Sequence, residues 1–337
     1  MMKRLRTLIR VLLILVLVLA MAATVAVGWI GSSHMITPPR RVLQDYHLEI
    51  LADPERRGLS VEPWTGPQAT PCLIVTPSQI PAVTPKGQQL RSMVDEVPAW
   101  GDIRGTVVLL HGHCGRKEDH LPICERFCAA GFRCILVDLP GHGDNPAQLA
   151  RFGWKEADLI GSLTDACAAE FGFVGSPAFL FGVSQGGAIA LQVAAKNPAH
   201  WAGVISVAAF ASLDEPMRSA LSQADPKLQP LGPVALTAVS WTTRARAGFF
   251  PDQIRPVDAA RKLTLPALVF HGGADRFVSP DRAQRIFDAI PSPDKRLRII
   301  EGAGHGRVLS ADAANTYADC CRFMLAACAE IDAKRFR

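Results

Sequence analysis

One serine, set between two glycines in a short turn, is the residue of this sequence best placed for chemistry. Residues 182–186 read Gly-Val-Ser-Gln-Gly and lie between an apolar run at 178–181 and a helix-like segment that starts at Gly187. A strand that enters a helix through so short a turn strains the backbone of the central residue and exposes its hydroxyl. We therefore predict that Ser184 is a nucleophile; the alternative is an ordinary serine that caps the helix.

A serine hydroxyl attacks efficiently only when a base takes its proton and an acid orients that base. Two later strand-like runs end in glycine-rich turns that supply these groups, one leading to Asp275 and the other to His305. The chain order Ser, Asp, His is the order expected for a triad at the carboxyl edge of a parallel sheet. We predict His305 as the general base and Asp275 as the acid. The alternatives are a surface-loop histidine, a turn-forming aspartate, and Asp214 as the rival acid.

The charge that develops on an attacked carbonyl oxygen needs hydrogen-bond donors aimed at it. One donor is expected from the residue after the nucleophile, which is Gln185, and the other from the loop after the strand that ends at Leu110. We assign these roles to the backbone N–H groups of Gln185 and His113. The imidazole of His113 is expected to have no role, and His111 to be structural.

Strand-like and helix-like segments alternate after Gly105. Most of the strand-like runs are apolar throughout, as expected for strands that are covered on both faces. This alternation predicts an α/β fold with a mostly parallel central sheet and helices on both faces. The predicted strands are 106–110, 134–137, 178–181, 204–207, 267–270 and 297–300, and the predicted helices are 117–130, 155–170, 187–196, 280–290 and 311–330.

The segment before this alternation has a different pattern. Between residues 45 and 94, short β-like runs such as 46–51 and 72–76 are separated by proline and glycine. Such a pattern is typical of antiparallel strands. We predict an antiparallel start to the sheet.

One long interval, residues 211–264, interrupts the alternation. It is rich in proline and contains large apolar side chains, among them Trp241, Phe249 and Phe250. So long an insertion inside a compact domain is usually functional. We predict a lid at 211–264 within a catalytic domain that spans 45–337.

The N-terminal segment predicts a membrane helix. Residues 11–30 carry no charge, and as a helix they are long enough to cross about 30 Å of hydrocarbon. Cations precede this run, so the positive-inside rule places the N-terminus in the cytoplasm and the domain outside it. We predict an anchor at 1–35 and a linker at 36–44. The alternative is a secreted protein, released by cleavage at the Ala-Met-Ala sequence of residues 20–22.

The net charge of +5 has a local origin. The cations Lys3, Arg4, Arg6 and Arg10 crowd the first ten residues, and the rest of the chain is nearly neutral. A nucleic-acid site needs a basic stripe interleaved with aromatic side chains, and the sequence shows none. We therefore exclude nucleic acid as a partner.

The nine cysteines form no Cys-x-x-Cys pair and no set with the ligand spacing of a zinc site. An odd number leaves at least one thiol unpaired. We interpret most of them as small core residues.

Together these motifs resemble the α/β-hydrolase superfamily from about residue 45 to residue 330. The resemblance rests on the His-Gly pair at 111–112, the Asp-x-Pro-Gly-His-Gly turn at 138–143, Ser184, Asp275 and the Gly-x-Gly-His sequence that ends at His305. The leading apolar segment and the lid interval are similar to those of membrane-anchored serine esterases and monoacylglycerol-lipase-like hydrolases. The resemblance implies no cofactor, no metal, and an acyl-enzyme that water hydrolyses.

Three functions compete on these observations. The first is hydrolysis of a small-molecule carboxylic ester or thioester with an apolar acyl group, through Ser184. The second is cleavage of short peptides, because the same triad serves amide bonds. The third is a non-catalytic, membrane-tethered binding module, which the presence of every catalytic element disfavours.

Overall fold

The centre of the molecule, seen in a computed structural model that describes residues 2–222, 227 and 229–335, is a single sheet. Within these residues eight strands pair in the order β1-β2-β4-β3-β5-β6-β7-β8. Strand β2 pairs antiparallel with β1 and β4, and all other pairs are parallel. The strands are β1 (Leu59–Gly66), β2 (Thr70–Pro77), β3 (Gly105–Leu110), β4 (Phe132–Val137), β5 (Ala178–Val183), β6 (Gly203–Val207), β7 (Ala267–Gly272) and β8 (Lys295–Ile300). The predicted, mostly parallel α/β sheet is confirmed.

Helices cover both faces of this sheet. Alternate residues of β3 belong to different apolar clusters: Val108 and Leu110 to one, Val107 and Leu109 to the other. This alternation follows from the period of two in a strand, and it explains why the central strands are apolar throughout. The helices are α1 (Met2–Ile36), α2 (Asp45–Ala52), α3 (Pro85–Met93), α4 (Leu121–Ala129), α5 (Glu156–Phe171), α6 (Gln185–Lys196), α7 (Asp214–Ser222), α8 (Gly232–Ala247), α9 (Pro256–Ala260), α10 (Asp281–Ala289), α11 (Val308–Ala311) and α12 (Ala313–Arg335).

One strand prediction was wrong. Residues 46–51 lie in helix α2, and the first strand follows later, at Leu59–Gly66. Helix α2 buries His47 and Ile50, three residues apart, which is the spacing of one helix face. The backbone N–H of Gln44 donates to Nδ1 of His47 at 3.0 Å, which fixes the first turn.

Helix α1 is long and apolar enough to cross a membrane, and we treat it as a candidate transmembrane segment. Its last turn is part of the domain: Ile36 is fully buried, and its carbonyl accepts a hydrogen bond from the N–H of Ala150 at 2.9 Å. The segment that follows is also fixed to the domain surface, because the guanidinium of Arg40 donates to the carbonyl groups of Gly143 and Ala147, both at 2.9 Å.

The interval 211–264 contains α7, α8 and α9, apart from residues 223–226 and 228, which lie outside the described chain. Helix α8 packs along the C-terminal part of α1. Phe249 is fully buried against Phe152 and Trp154, whereas Trp241 is 65% exposed. Within this interval, Phe249 therefore packs inside the domain, whereas Trp241 lies on the surface.

The cysteines are mostly core residues, as predicted. All nine lie in the described part of the chain as free thiols; Cys114 is half-buried and the other eight are buried.

Candidate active site

Ser184 lies where β5 passes into α6, with φ 53° and ψ −112°. A side-chain-bearing residue adopts this left-handed conformation only under strain, which the surrounding structure must maintain. Two glycines permit the turn: a Cβ on Gly182 would lie 2.1 Å from the carbonyl oxygen of Gly186, and one on Gly186 would lie 1.9 Å from that of Leu110. The tight packing of strand, turn and helix therefore presents the hydroxyl at the carboxyl edge of the sheet.

The close approach at Gly186 predicts a large loss of stability on substitution. We expect Gly186→Ala to lower the free energy of unfolding by about 3 kcal/mol or more, because the Leu110 carbonyl belongs to a central strand that cannot give way. The matched control is Gly161→Ala in α5, where an added Cβ meets nothing within 4 Å. That change should stabilise the protein by about 0.5–1 kcal/mol. Chemical denaturation of both variants tests the pair, and equal unfolding midpoints would contradict it.

The side chains of Ser184, His305 and Asp275 form one continuous chain of hydrogen bonds. Oγ of Ser184 is 2.9 Å from Nε2 of His305, and Nδ1 of His305 is 2.7 Å from Oδ2 of Asp275. His305 follows β8 and Asp275 follows β7, so both reach the edge at which β5 delivers the serine. The carboxylate is fully buried, whereas the imidazole is partly exposed to the cavity. The structure thus brings together three residues that the sequence separates by up to 121 positions.

Asp275 is held by more groups than the sequence indicated. Its Oδ1 accepts the backbone N–H groups of Phe277 and Val278, each at 2.9 Å. Nε2 of the buried His271 lies 3.2 Å from Oδ2 and 2.8 Å from the carbonyl oxygen of Val278. Burial alone would raise the pKa of Asp275, but the hydrogen bonds from His271 and His305 outweigh it and hold the pKa well below its ordinary value. The acid therefore stays ionised while it orients His305.

His271 was not singled out from the sequence, although it stands four residues before Asp275. A histidine at the end of a buried strand carries no distinctive sequence signal. Its contact depends on the turn that folds Val278 back over β7.

Asp214, the rival acid, is engaged elsewhere. It begins α7, where it accepts a hydrogen bond from the hydroxyl of Ser212 and one from Nε of Arg218 at 3.0 Å. The structure therefore supports Asp275 as the partner of His305.

The two residues proposed to supply oxyanion donors, Gln185 and His113, belong to segments that lie beside Ser184. Gln185 is the first residue of α6, so its N–H has no partner within the helix. The loop after β3 lies against Ser184, since a Cβ on Gly112 would be 3.7 Å from Cβ of Ser184. His113 follows directly in that loop.

The imidazole of His113, for which the sequence predicted no role, makes two hydrogen bonds. Nε2 lies 3.0 Å from the carbonyl oxygen of His34 in α1, and Nδ1 lies 2.9 Å from the amide oxygen Oε1 of Gln185. The last turn of α1 is thereby linked to Gln185, the residue that follows Ser184.

His111 is structural, as expected. It is buried, its Nδ1 donates to the carbonyl oxygen of Gly112 at 2.8 Å, and its Nε2 accepts the N–H of Leu139 at 3.1 Å.

A cavity of about 1070 Å³ opens above Ser184 and His305. Most of its wall is apolar, and helices α1, α7 and α8 contribute to it side chains such as Ile30, Met217 and Leu236. Arg41, Tyr46 and Asp119 add polar groups to the same cavity. Its volume and lining suit a small molecule with an apolar part and a polar part.

Two buried histidines near the site predict a loss of stability in mild acid. Burial lowers the pKa of His120 and of His142 to about 4, below the value near 6.5 that an unfolded chain gives. The unfolded state therefore binds protons first, so each group contributes stability that is full above about pH 6.5 and is lost as the pH falls toward 4. We expect each histidine to account for a loss on the order of 3 kcal/mol.

Urea unfolding at pH 7 and at pH 4.5 measures this loss. His120→Gln removes one titrating group and should reduce the difference between the two conditions. Equal unfolding free energies of the unmodified protein at both pH values would contradict the prediction.

Comparison with protein families identifies the fold family. The sequence model of the family described as serine aminopeptidase, S33, matches residues 101–247 and 241–310. These ranges include Ser184, Asp275 and His305.

Curated relatives share about a quarter of their residues with the chain. Caffeoylshikimate esterase of Arabidopsis thaliana is 25% identical over 248 residues, covering 63% of this chain and 74% of the relative. Human monoglyceride lipase is 26% identical over 235 residues, covering 61% and 76%. Monoacylglycerol lipase of Mycolicibacterium smegmatis is 27% identical over 236 residues, covering 60% and 82%.

Solved structures show the same fold. An esterase of Pyrococcus furiosus superposes with a TM-score of 0.61 at 14% identity, covering 86% of this chain and 97% of that one. A bacterial membrane phospholipase A gives a TM-score of 0.53 at 18% identity, covering 94% and 98%. These solved structures show the α/β-hydrolase fold, and the matched family model shows that the chain belongs to the family described as serine aminopeptidase, S33.

Proposed function

We propose that this protein is a serine hydrolase that cleaves a carboxylic ester or thioester through an acyl-enzyme on Ser184. The observation that carries the proposal is the hydrogen-bonded series from Ser184 through His305 to Asp275 at the base of a largely apolar cavity. The names of the curated relatives, esterases and monoglyceride lipases, support an ester substrate.

In the first half of the reaction, Oγ of Ser184 attacks the carbonyl carbon while its proton passes to Nε2 of His305. The backbone N–H groups of His113 and Gln185 stabilise the oxyanion of the tetrahedral intermediate. The intermediate collapses, the bond to the alcohol or thiol breaks, and His305 gives its proton to that leaving group. The acyl group remains on Ser184.

Water completes the cycle by the same steps. His305 takes a proton from water, the hydroxide attacks the acyl carbon, and the acid leaves as the proton returns to Oγ of Ser184. Throughout, Asp275 accepts the Nδ1–H of His305, so the ring presents Nε2 to the serine and its protonated form is stabilised.

The cavity favours an ester over a peptide. Its acidic side chain, Asp119, is already engaged by Arg41 at 3.2 Å, by His47 at 3.0 Å and by the Tyr46 hydroxyl at 3.2 Å. A carboxylate so occupied is poorly suited to capture the free amino group of a peptide. The apolar wall, by contrast, matches an acyl chain.

For the domain division we propose the bounds predicted from the sequence. We assign residues 45–337 to the catalytic domain, 211–264 to its lid, and 1–35 to a membrane anchor joined by residues 36–44. We place the catalytic domain outside the cytoplasm from the charge distribution, with secretion after signal cleavage as the alternative.

A substrate panel on the full-length protein in detergent micelles tests the proposed function. We expect turnover of p-nitrophenyl esters, with kcat/KM rising up to about fourfold per added methylene while the apolar wall is being filled. Aminoacyl p-nitroanilides are the matched amide substrates. Preference for the anilides would favour the peptidase, and a folded protein that turns over neither series would favour the binding module.

A further inference from the structure

One wall of the catalytic cavity is the candidate transmembrane helix itself. The side chains that α1 contributes share one face, at spacings of three and four residues: Val27, Ile30, Gly31, His34 and Met35. The first two also belong to the uncharged run 11–30. The cavity therefore reaches along α1 into the part of the helix that suits lipid.

The cavity is open at this end. Val27 and Ile30 line it, yet they remain 45% and 58% exposed. Leu236 and Val239 of α8, which packs against α1, line the same cavity. We call the opening between these four side chains the mouth.

Helix α8 packs directly against α1. A Cβ on Gly28 would lie 2.5 Å from Oγ1 of Thr242, and one on Gly31 would lie 2.4 Å from Cγ2 of Val239. Thr24 of α1, further toward the N-terminus, lines a second groove together with α8 residues between Pro233 and Thr242. Because a helix rises 1.5 Å per residue, Thr24 lies about 9 Å from Ile30 along the axis of α1, toward the N-terminus. When α1 spans a bilayer, Thr24 is therefore at the depth of the hydrocarbon.

The composition of α8 fits this depth. Residues 232–243 carry no charge, and Val234 and Trp241 are 55% and 65% exposed. Along α8, Arg246 is the first charged residue whose side chain contacts a side chain of α1. Its Nη1 donates to Oγ of Ser32 at 2.8 Å, and its guanidinium lies 4.1 Å from the ring centre of Trp29. Tryptophan and arginine at one level are typical of the membrane–water interface. The mouth lies at or just below that level.

We propose that α1 and α8 form a lateral entrance at the membrane surface, through which the acyl chain of a bilayer-resident ester reaches Ser184. This proposal rests on the proposed function and names its substrate class, an amphiphile with one chain in the lipid and a polar group in water. The polar part meets Arg41, Tyr46 and Asp119 in the cavity. The packing of α8 on α1 thus holds α8 in the membrane leaflet that faces the catalytic domain.

The first test measures delivery from lipid. Full-length protein is reconstituted in phosphatidylcholine vesicles that contain 1-oleoylglycerol, and hydrolysis is compared with that of water-soluble p-nitrophenyl acetate. We expect Val234→Glu to lower the ratio of the two rates about tenfold or more, because a carboxylate is strongly disfavoured at the edge of the hydrocarbon. Leu231→Glu, just before α8 and also exposed, gives a second reading if the first variant folds poorly.

The matched control is Val174→Glu, which places the same charge at a 77% exposed valine on the loop between α5 and β5. It should leave the ratio unchanged. If neither Val234→Glu nor Leu231→Glu changed the ratio of the two rates, the proposal of a lateral entrance would be overturned. If the unmodified protein hydrolysed neither 1-oleoylglycerol nor p-nitrophenyl acetate, the result would instead count against the proposed function. Failure of the lateral entrance and failure of the proposed function are therefore distinguishable.

The second test narrows the mouth. In detergent micelles, we expect Ile30→Trp to lower kcat/KM for p-nitrophenyl decanoate relative to the acetate by about tenfold, because the larger ring occupies the path of the longer chain. Leu19→Trp makes a comparable change on the exposed surface of α1, away from the mouth, and should not alter the ratio. Equal ratios in the two variants would show that the acyl chain takes another path.

Discussion

Replacing Ser184 with alanine is expected to lower kcat for a p-nitrophenyl ester by roughly 10⁴- to 10⁶-fold. The side chain of Ser184 hydrogen-bonds to His305, so its loss removes the proposed nucleophile while leaving the packing of the turn intact. The unfolding midpoint should therefore change little. Steady-state kinetics and thermal unfolding of the same preparation separate loss of chemistry from loss of fold.

The control for this change is Ser162→Ala on the exposed side of α5, where the hydroxyl bonds only to the backbone carbonyl of Leu159. It should retain full activity. If Ser184→Ala retained kcat within tenfold of the unmodified protein, Ser184 would not be the nucleophile.

Replacing Asp275 with asparagine is expected to cost about 10⁴-fold in kcat. An amide at this position can offer an N–H to Nδ1 of His305, which favours the tautomer that presents its proton, rather than its lone pair, to Ser184. The side chain that His271 contacts would also lose its negative charge. The substitution therefore removes both the orientation of the base and the stabilisation of its charged form.

Asp214→Asn is the matched control, because Asp214 was the rival acid and pairs with Ser212 and Arg218 instead. We expect it to change kcat by no more than about twofold, as is usual for a partly exposed side chain away from the reacting atoms. A larger loss in Asp214→Asn than in Asp275→Asn would reverse the assignment.

The central sheet and the positions of Ser184, Asp275 and His305 could be predicted from the sequence, and the reason is physical. Buried parallel strands must be apolar throughout, and the turns after them must be short and glycine-rich, so Ser184, Asp275 and His305 stood out against their surroundings. Their meeting then followed from the rule that parallel strands deliver their carboxyl ends to one edge.

The start of the domain was harder to predict. Residues 46–51 alternate in polarity almost as well as they follow a helix period, and a segment so short does not distinguish the two. The hydrogen bond between Gln44 and His47 and the burial of Ile50 decide for the helix. Such contacts become visible only once the chain is folded.

The role of α1 in the cavity also lay beyond sequence reasoning. An apolar run is equally consistent with lipid on every side and with protein on one side. The small residues Gly28, Gly31 and Ser32 near its end were the available signal, since they allow a second helix to approach closely. That the partner is α8, more than 200 positions later, required the fold.

Covalent labelling is the most direct test of the central claim that Ser184 is an activated nucleophile. Full-length protein treated with a fluorophosphonate and analysed by peptide mass mapping should carry the adduct on Ser184, and His305→Ala should label far more slowly. An adduct on a different residue, or no adduct on a folded preparation that hydrolyses esters, would contradict the account.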